Sequence, residues 1–161
     1  MPGNSMAKTL VIGLGNPLLG DDGVGWRVAE QVQQMIQASQ SLVEVDCLSV
    51  GGLRLMERLV GHDRAILIDA ITTRQQPPGT VSHFLLEDLP YLIAGHLGSA
   101  HDTGLQTALS LGRALGVSLP EEVTIVGVES QCLFDFTEEL TPPVAASVSY
   151  AARMVLKLLE E

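Results

Sequence analysis

Asp21, Asp22, Asp69 and His101 are the residues whose type and setting could do chemistry in this chain. Asp21 and Asp22 sit inside the stretch Gly13-Leu14-Gly15-Asn16-Pro17-Leu18-Leu19-Gly20-Asp21-Asp22-Gly23-Val24-Gly25, between an apolar run and an amphipathic segment. A glycine-rich turn from strand to helix ordinarily cradles phosphate, because helix N-terminal N–H groups attract anions. Here two carboxylates stand where the phosphate would go. They repel a pyrophosphate and instead attract a cation or share a proton. Asp69 follows directly on Ala65-Ile66-Leu67-Ile68, and His101 lies in Ser99-Ala100-His101-Asp102-Thr103-Gly104, just ahead of a helical pattern. Two carboxylates and an imidazole from separate loops make a three-ligand site for a borderline divalent metal, with positions left open.

Each residue also has a plainer reading. Asp21 or Asp22 would serve to cap the following helix and complement its dipole. Asp69 would serve to cap a turn, although an acid closing a run that is apolar on both faces suits a strand-end site better. His62, His83 and His96 compete with His101, but only His101 combines a helix start with a following Thr-Gly. Other chemistries fit worse. Gly13-x-Gly15-x-x-Leu18 lacks the third glycine of a dinucleotide fingerprint, and no P-loop lysine follows. Ser99 is near His101 and Asp102, yet no Gly-x-Ser-x-Gly elbow is present. Cys132 has no paired histidine nearby and reads as a loop thiol.

Alternating strand and helix patterns must position these groups. Lys8–Gly13 reads as a first strand. Gly23–Ala38 reads as a helix with Val24, Val28, Val32, Met35 and Ile36 on one face. Leu42–Ser49 alternates as a strand, and Gly52–Leu59 is a short helix with Gly61 placed to end it. Arg64–Ala70 is a central parallel strand. Gln75–Gly79 is a turn cluster, and Thr80–Leu86 reads as a strand toward an edge. Residues 87–99 read as a loop with one helical turn near Tyr91. Thr103–Leu115 is a helix, and Val123–Val128 a second continuous apolar strand. Residues 129–140 form a loop, after which Thr141 caps a final helix with Pro142 in its first turn. That helix carries the stripe Val144, Val148, Ala151, Val155 and Leu158. The expected fold is an α/β three-layer sandwich: a mostly parallel twisted sheet of about five strands with helices on both faces. In such a sheet the ligand crevice lies beyond the carboxyl ends of the strands, where Asp21, Asp22 and Asp69 fall.

Composition bounds the rest. A chain of 161 residues suits one domain, here residues 8–161 behind a disordered leader at 1–7, with Met6 as an alternative start. Hydrophobic residues are 46% and aromatic ones 4%, which makes an aliphatic core and disfavours a base-stacking surface. Nine basic against nineteen acidic residues give a formal charge of −10, which repels nucleic acid. Two cysteines do not make a secreted disulfide scaffold, so a reducing cytoplasm is expected. No apolar run approaches the roughly 20 residues that span a bilayer.

Taken together, these motifs resemble the hydrogenase maturation endopeptidases, from Thr9 to about Leu159. The glycine–asparagine stretch before the acidic pair is similar to that family's opening signature. Asp22 falls at the position of its first metal-binding acid, Asp69 at the second and His101 at the histidine. Val126-Gly127-Val128 and Leu140-Thr141-Pro142 resemble its closing strand and helix start. Some members carry glutamate at the Asp22 position, and Leu53 stands where some have threonine after the substrate-contacting glycines Gly51 and Gly52. The resemblance implies an endopeptidase that removes a C-terminal extension from the precursor of a nickel–iron hydrogenase large subunit. Nickel supplied by the precursor would be the recognition mark, with Asp22, Asp69 and His101 completing its shell and carrying the catalysis, either nickel-dependent or aspartic-type with Asp22 or Asp69 as general base. The enzyme would act as a cytoplasmic monomer, without nucleic acid or membrane. A non-enzymatic nickel-binding chaperone using the same residues, and a nucleoside or dinucleotide enzyme on a similar sheet, are the alternatives.

Overall fold

The computed structural model describes residues 7–91, 100–131 and 135–161. Five strands form one sheet: β1 (Thr9–Leu14), β2 (Val43–Leu48), β3 (Arg64–Ile71), β4 (Val81–Leu85) and β5 (Glu122–Glu129). Four α-helices accompany them: α1 (Val24–Met35), α2 (Gly52–Leu59), α3 (Ala100–Ala114) and α4 (Pro142–Glu160). The spatial order is β2-β1-β3-β5-β4. Four strands are parallel, and β4 alone runs antiparallel, against β5. The expected mostly parallel α/β sheet is thus present, with the alternating Val81–Leu85 segment at one edge and β2 at the other.

Side chains alternate between the two faces of a strand, and the sequence builds a separate core on each. Leu10, Ile12, Ala65, Leu67, Val123 and Ile125 meet Leu55 and Leu59 of α2 and Leu105 and Leu109 of α3. On the other face Val11, Ile66, Ile68 and Val126 meet Val24, Val28 and Val32 of α1 and Val144, Ala151 and Val155 of α4. Burial on both sides explains why β1, β3 and β5 are continuous apolar runs. The expected α4 stripe is buried, with Val148 packed at its margin.

Helix α1 differs from expectation at both ends. A 3-10 turn at Gly20–Gly23 precedes it. It stops at Met35, because Ile36 takes an extended conformation, and Met35 is left exposed. Helix α3 begins at Ala100, so His101 lies in its first turn rather than ahead of it. A 3-10 helix at Leu86–Tyr91 covers the start of the stretch read as a loop. The proposed leader up to Met6, His96, Ser99 and Cys132 lie outside the described residues.

Two glycines let α1 approach the sheet. A Cβ on Gly25 would collide with the main-chain oxygens of Ile68 and Leu14. One on Gly13 would strike the carbonyl oxygen of Gly25 and stand 2.8 Å from the Ala29 Cβ. The glycine-rich stretch therefore serves close helix–sheet contact, one of the uses glycine has in nucleotide-binding turns.

Candidate active site

The carboxyl ends of β1, β2 and β3 form one rim of the sheet, and Asp22, Gly51 and Gly52 lie in the loops that leave it. Gly15 follows β1 with φ of +126°, a backbone region that side chains rarely adopt. A Cβ on it would overlap the main-chain oxygen of Asp22, so the chain folds back tightly over the end of β1. Asp22 Oδ2 accepts a 2.8 Å hydrogen bond from the Asn16 N–H. This fixes a half-buried carboxylate above the strand end.

Asp21 has a different task. Its Oδ1 accepts from the Thr141 N–H at 2.7 Å and its Oδ2 from the Thr141 hydroxyl at 2.7 Å. The side chain is 4% exposed. The sequence left open which acid of the pair caps and which reacts. Asp21 braces the start of α4, and Asp22 bonds back onto the loop that leaves β1. Thr141 does occupy the N-cap of α4, with proline at the expected place, but its side chain makes no capping bond. Its hydroxyl donates to Asp21 instead.

Asp69 lies within β3, paired with Gly127 of β5, because the strand runs three residues beyond Ile68, to Ile71. Its parity with Leu67 and Ile71 turns it to the face covered by α2 and α3. It is 3% exposed. Because β1 and β3 are neighbours, the loop that carries Asp22 leaves the strand next to the one that holds Asp69.

Gly51 and Gly52 lead from β2 into α2 on the same rim. The Ser49 hydroxyl donates to the Gly15 carbonyl oxygen at 2.6 Å, tying this loop to the one that carries Asp22. Gly104 of α3 packs on Gly52, since a Cβ there would stand 3.6 Å from the Gly52 Cα. The first turn of α3, with His101 three residues before Gly104, therefore starts beside the Gly51-Gly52 loop. The His101 side chain lies outside the described residues. Among the described residues no three His, Cys, Asp or Glu side chains converge on one metal-sized point. A three-ligand set on this rim thus depends on His101.

The competing histidines are elsewhere. His62 is buried at the opposite end of β3, its Nε2 3.4 Å from Glu44 Oε1. His83 is on the edge strand β4, opposite Val126.

Sequence reasoning missed Glu129. It closes β5 rather than opening a loop, is 3% exposed, and lies opposite Ile71 on the Asp69 face. Its carboxylate accepts from the Thr73 N–H at 2.8 Å and from the Thr73 hydroxyl. It holds down the loop that leaves β3. The signal was present: Glu129 follows a continuous apolar strand just as Asp69 does.

Comparison with known proteins gives the family of the chain. The sequence model described as hydrogenase maturation protease matches residues 26–158, beginning just beyond the acidic pair. The hydrogenase 2 maturation protease of Escherichia coli K12 is 33% identical over 154 residues, covering 96% of this chain and 92% of that one. The solved structure of the hydrogenase maturating endopeptidase HybD from E. coli superposes with a TM-score of 0.76 at 31% identity, over 95% of this chain and 92% of that chain. The [NiFe] hydrogenase maturation protease HybD from Thermococcus kodakarensis gives a TM-score of 0.69 at 29% identity, over 94% and 98%. The chain therefore belongs to the hydrogenase maturation protease family.

Proposed function

We propose that this member of the family removes the C-terminal extension of a nickel-loaded [NiFe]-hydrogenase large-subunit precursor, with Asp22, Asp69 and His101 as the residues that meet the metal. The observation that carries the reading is the division of labour in the acidic pair. Asp21 has both oxygens engaged by Thr141, whereas Asp22 is held over the end of β1 next to the strand that carries Asp69. Oxygen and imidazole donors suit a borderline divalent ion and leave room for thiolates from the substrate. Nickel is cargo here: it arrives on the precursor, and this chain completes its shell.

In this reading Asp22 and Asp69 register the substrate's metal against the rim, and His101 supplies the third ligand from the first turn of α3. When bound on the precursor, the metal would polarise the scissile carbonyl or lower the pKa of an attacking water, or it would only register the substrate while Asp22 or Asp69 serves as general base. Burial of Asp69 strengthens its attraction for a cation, because the local dielectric is low. Gly51 and Gly52 offer bare backbone to the substrate chain. The enzyme works as a cytoplasmic monomer with no nucleic acid or membrane partner. In support, no described helix is long and apolar enough to cross a membrane, and a charge of −10 disfavours polyanions.

The test is incubation with nickel-loaded and nickel-free precursor, with products weighed by mass spectrometry. Shortening of the loaded form alone is expected. Binding without any change of length would replace this reading with that of a nickel-binding chaperone. Equal cleavage of both forms would remove the metal from recognition.

A further inference from the structure

One surface feature beside the rim is not used by the chemistry above. Phe136 is 87% exposed, the highest value of any large apolar side chain among the described residues. Its backbone is nevertheless firmly held. The Thr137 N–H donates to the Leu18 carbonyl oxygen at 3.0 Å, and the Gly20 N–H donates to the Thr137 carbonyl oxygen at 2.8 Å. These bonds make a parallel bridge between Leu19 and Thr137. One position back along both segments, in the same register, stand Leu18 and Phe136. Leu18 is itself 48% exposed. The neighbouring Glu138 carbonyl oxygen accepts from Arg27 Nη2 at 3.1 Å, and Thr141 is fixed by Asp21. Two large apolar side chains are thus presented to water by a braced backbone, and Leu18 stands four residues from Asp22 in sequence.

The surrounding charge is lopsided. Asp135, Glu138 and Glu139 are all exposed around Phe136. Arg27, which touches this segment, bonds a main-chain oxygen rather than a carboxylate. A fixed apolar centre with an acidic border fits a partner surface that offers an apolar side chain between lysines or arginines. Its position next to the candidate carboxylates selects the partner that must reach them.

We propose that Leu18 and Phe136, bordered by Asp135, Glu138 and Glu139, form a docking site for the precursor protein, which engages it through an apolar side chain flanked by basic residues. The inference rests on the functional reading above and adds a recognition surface to it. Docking there sets affinity and leaves the cleavage step to the rim residues.

The experiment compares steady-state cleavage of nickel-loaded precursor by wild type, Phe136→Ser, Leu18→Ser, the charge reversal Glu138→Lys with Glu139→Lys, and the control Leu115→Ser. Leu115 is 74% exposed at the far end of α3. We expect KM to rise about tenfold or more for each docking variant with kcat held within about twofold, as for loss of an interface anchor. Leu115→Ser should match wild type. The charge reversal should also flatten the dependence of KM on salt. Cleavage by wild type with an unchanged KM in both Phe136→Ser and Leu18→Ser would overturn the docking site and leave the functional reading standing. No cleavage by wild type would overturn both. Sedimentation adds a further outcome: self-association of wild type that Phe136→Ser abolishes would assign the patch to a second copy of the chain instead.

Discussion

At the scale of single residues, the two adjacent acids make opposite predictions. Asp21 is buried and accepts two hydrogen bonds from Thr141, so Asp21→Ala leaves both Thr141 donors without their acceptor. It should cost about 1–3 kcal/mol of stability, the usual penalty for a broken buried polar pair. Asp22→Asn should change stability by less than about 1 kcal/mol, as half-exposed substitutions do, and should sharply slow single-turnover cleavage. Asp69→Asn should slow it equally. Urea melts and cleavage assays on the same three proteins check this. Normal cleavage by both Asp22→Asn and Asp69→Asn would refute the site. Cys47 gives a pH prediction. Burial pushes its thiol up to about 11, with the charges of Glu30 and Asp46 adding to the effect. The reactive thiolate is therefore scarce at neutral pH, and alkylation of Cys47 in a Cys132→Ser background should stay slow until the pH approaches that value. Fast labelling at pH 8 would contradict it. The residue types at the site were legible because few chemistries use acids at strand ends. Their roles were not, since the partner of Asp21 lies 120 residues away and no local pattern announces it.

Among the elements, the contact between α1 and the sheet is the least forgiving. Gly25→Ala would drive a methyl group into two backbone oxygens that cannot rotate away. The loss should reach about 3 kcal/mol or more, well above the roughly 1–3 kcal/mol of ordinary overpacking, and thermal melts would measure it. A fall of under 1 kcal/mol would mean that the helix can lift off the sheet. The edge strand β2 is fastened differently. Arg58 on α2 bonds Asp46 at 3.0 Å and Glu44 at 3.2 Å. The bond from Arg58, aided by His62, holds the Glu44 carboxyl below its usual range despite an opposing desolvation effect. A lowered folded pKa means that the stabilisation is present at neutral pH and is lost as pH falls through the folded value. Arg58→Met should remove that acid-side slope, at a cost under about 1 kcal/mol because the pair is largely exposed. An unchanged slope in denaturant melts between pH 5 and 3 would count against the pairing. Both contacts were only half legible. The glycines stood out in the sequence, but they read as a ligand turn, whereas Gly13 and Gly25 work against the neighbouring backbone. The start of α3 was misplaced by three residues because Ala100, His101 and Asp102 carry no apolar stripe to extend the pattern.

For the molecule as a whole, burial told which strands are central. Runs apolar on both faces became β1, β3 and β5, and the mixed pattern of Val81–Leu85 became an edge. The direction of β4 was hidden, because an edge strand has the same composition whichever way it runs. The order β2-β1-β3-β5-β4 has a consequence for the timing of assembly. Among the described residues strand β4 pairs only with β5, and β5 also supplies Gly127 beside Asp69 and Glu129 beneath Thr73. A nascent chain that has emerged only as far as residue 121 carries both aspartates of the candidate site, yet β3 has an open edge and β4 no partner. Such a fragment should be cut readily in limited proteolysis between residues 72 and 85, while the full chain resists there. Unpaired strand edges of this kind are slow to resolve and prone to wrong pairings. The sheet that carries both aspartates is thus complete only once β5 and β4 have paired, so cutting should become possible only late in synthesis.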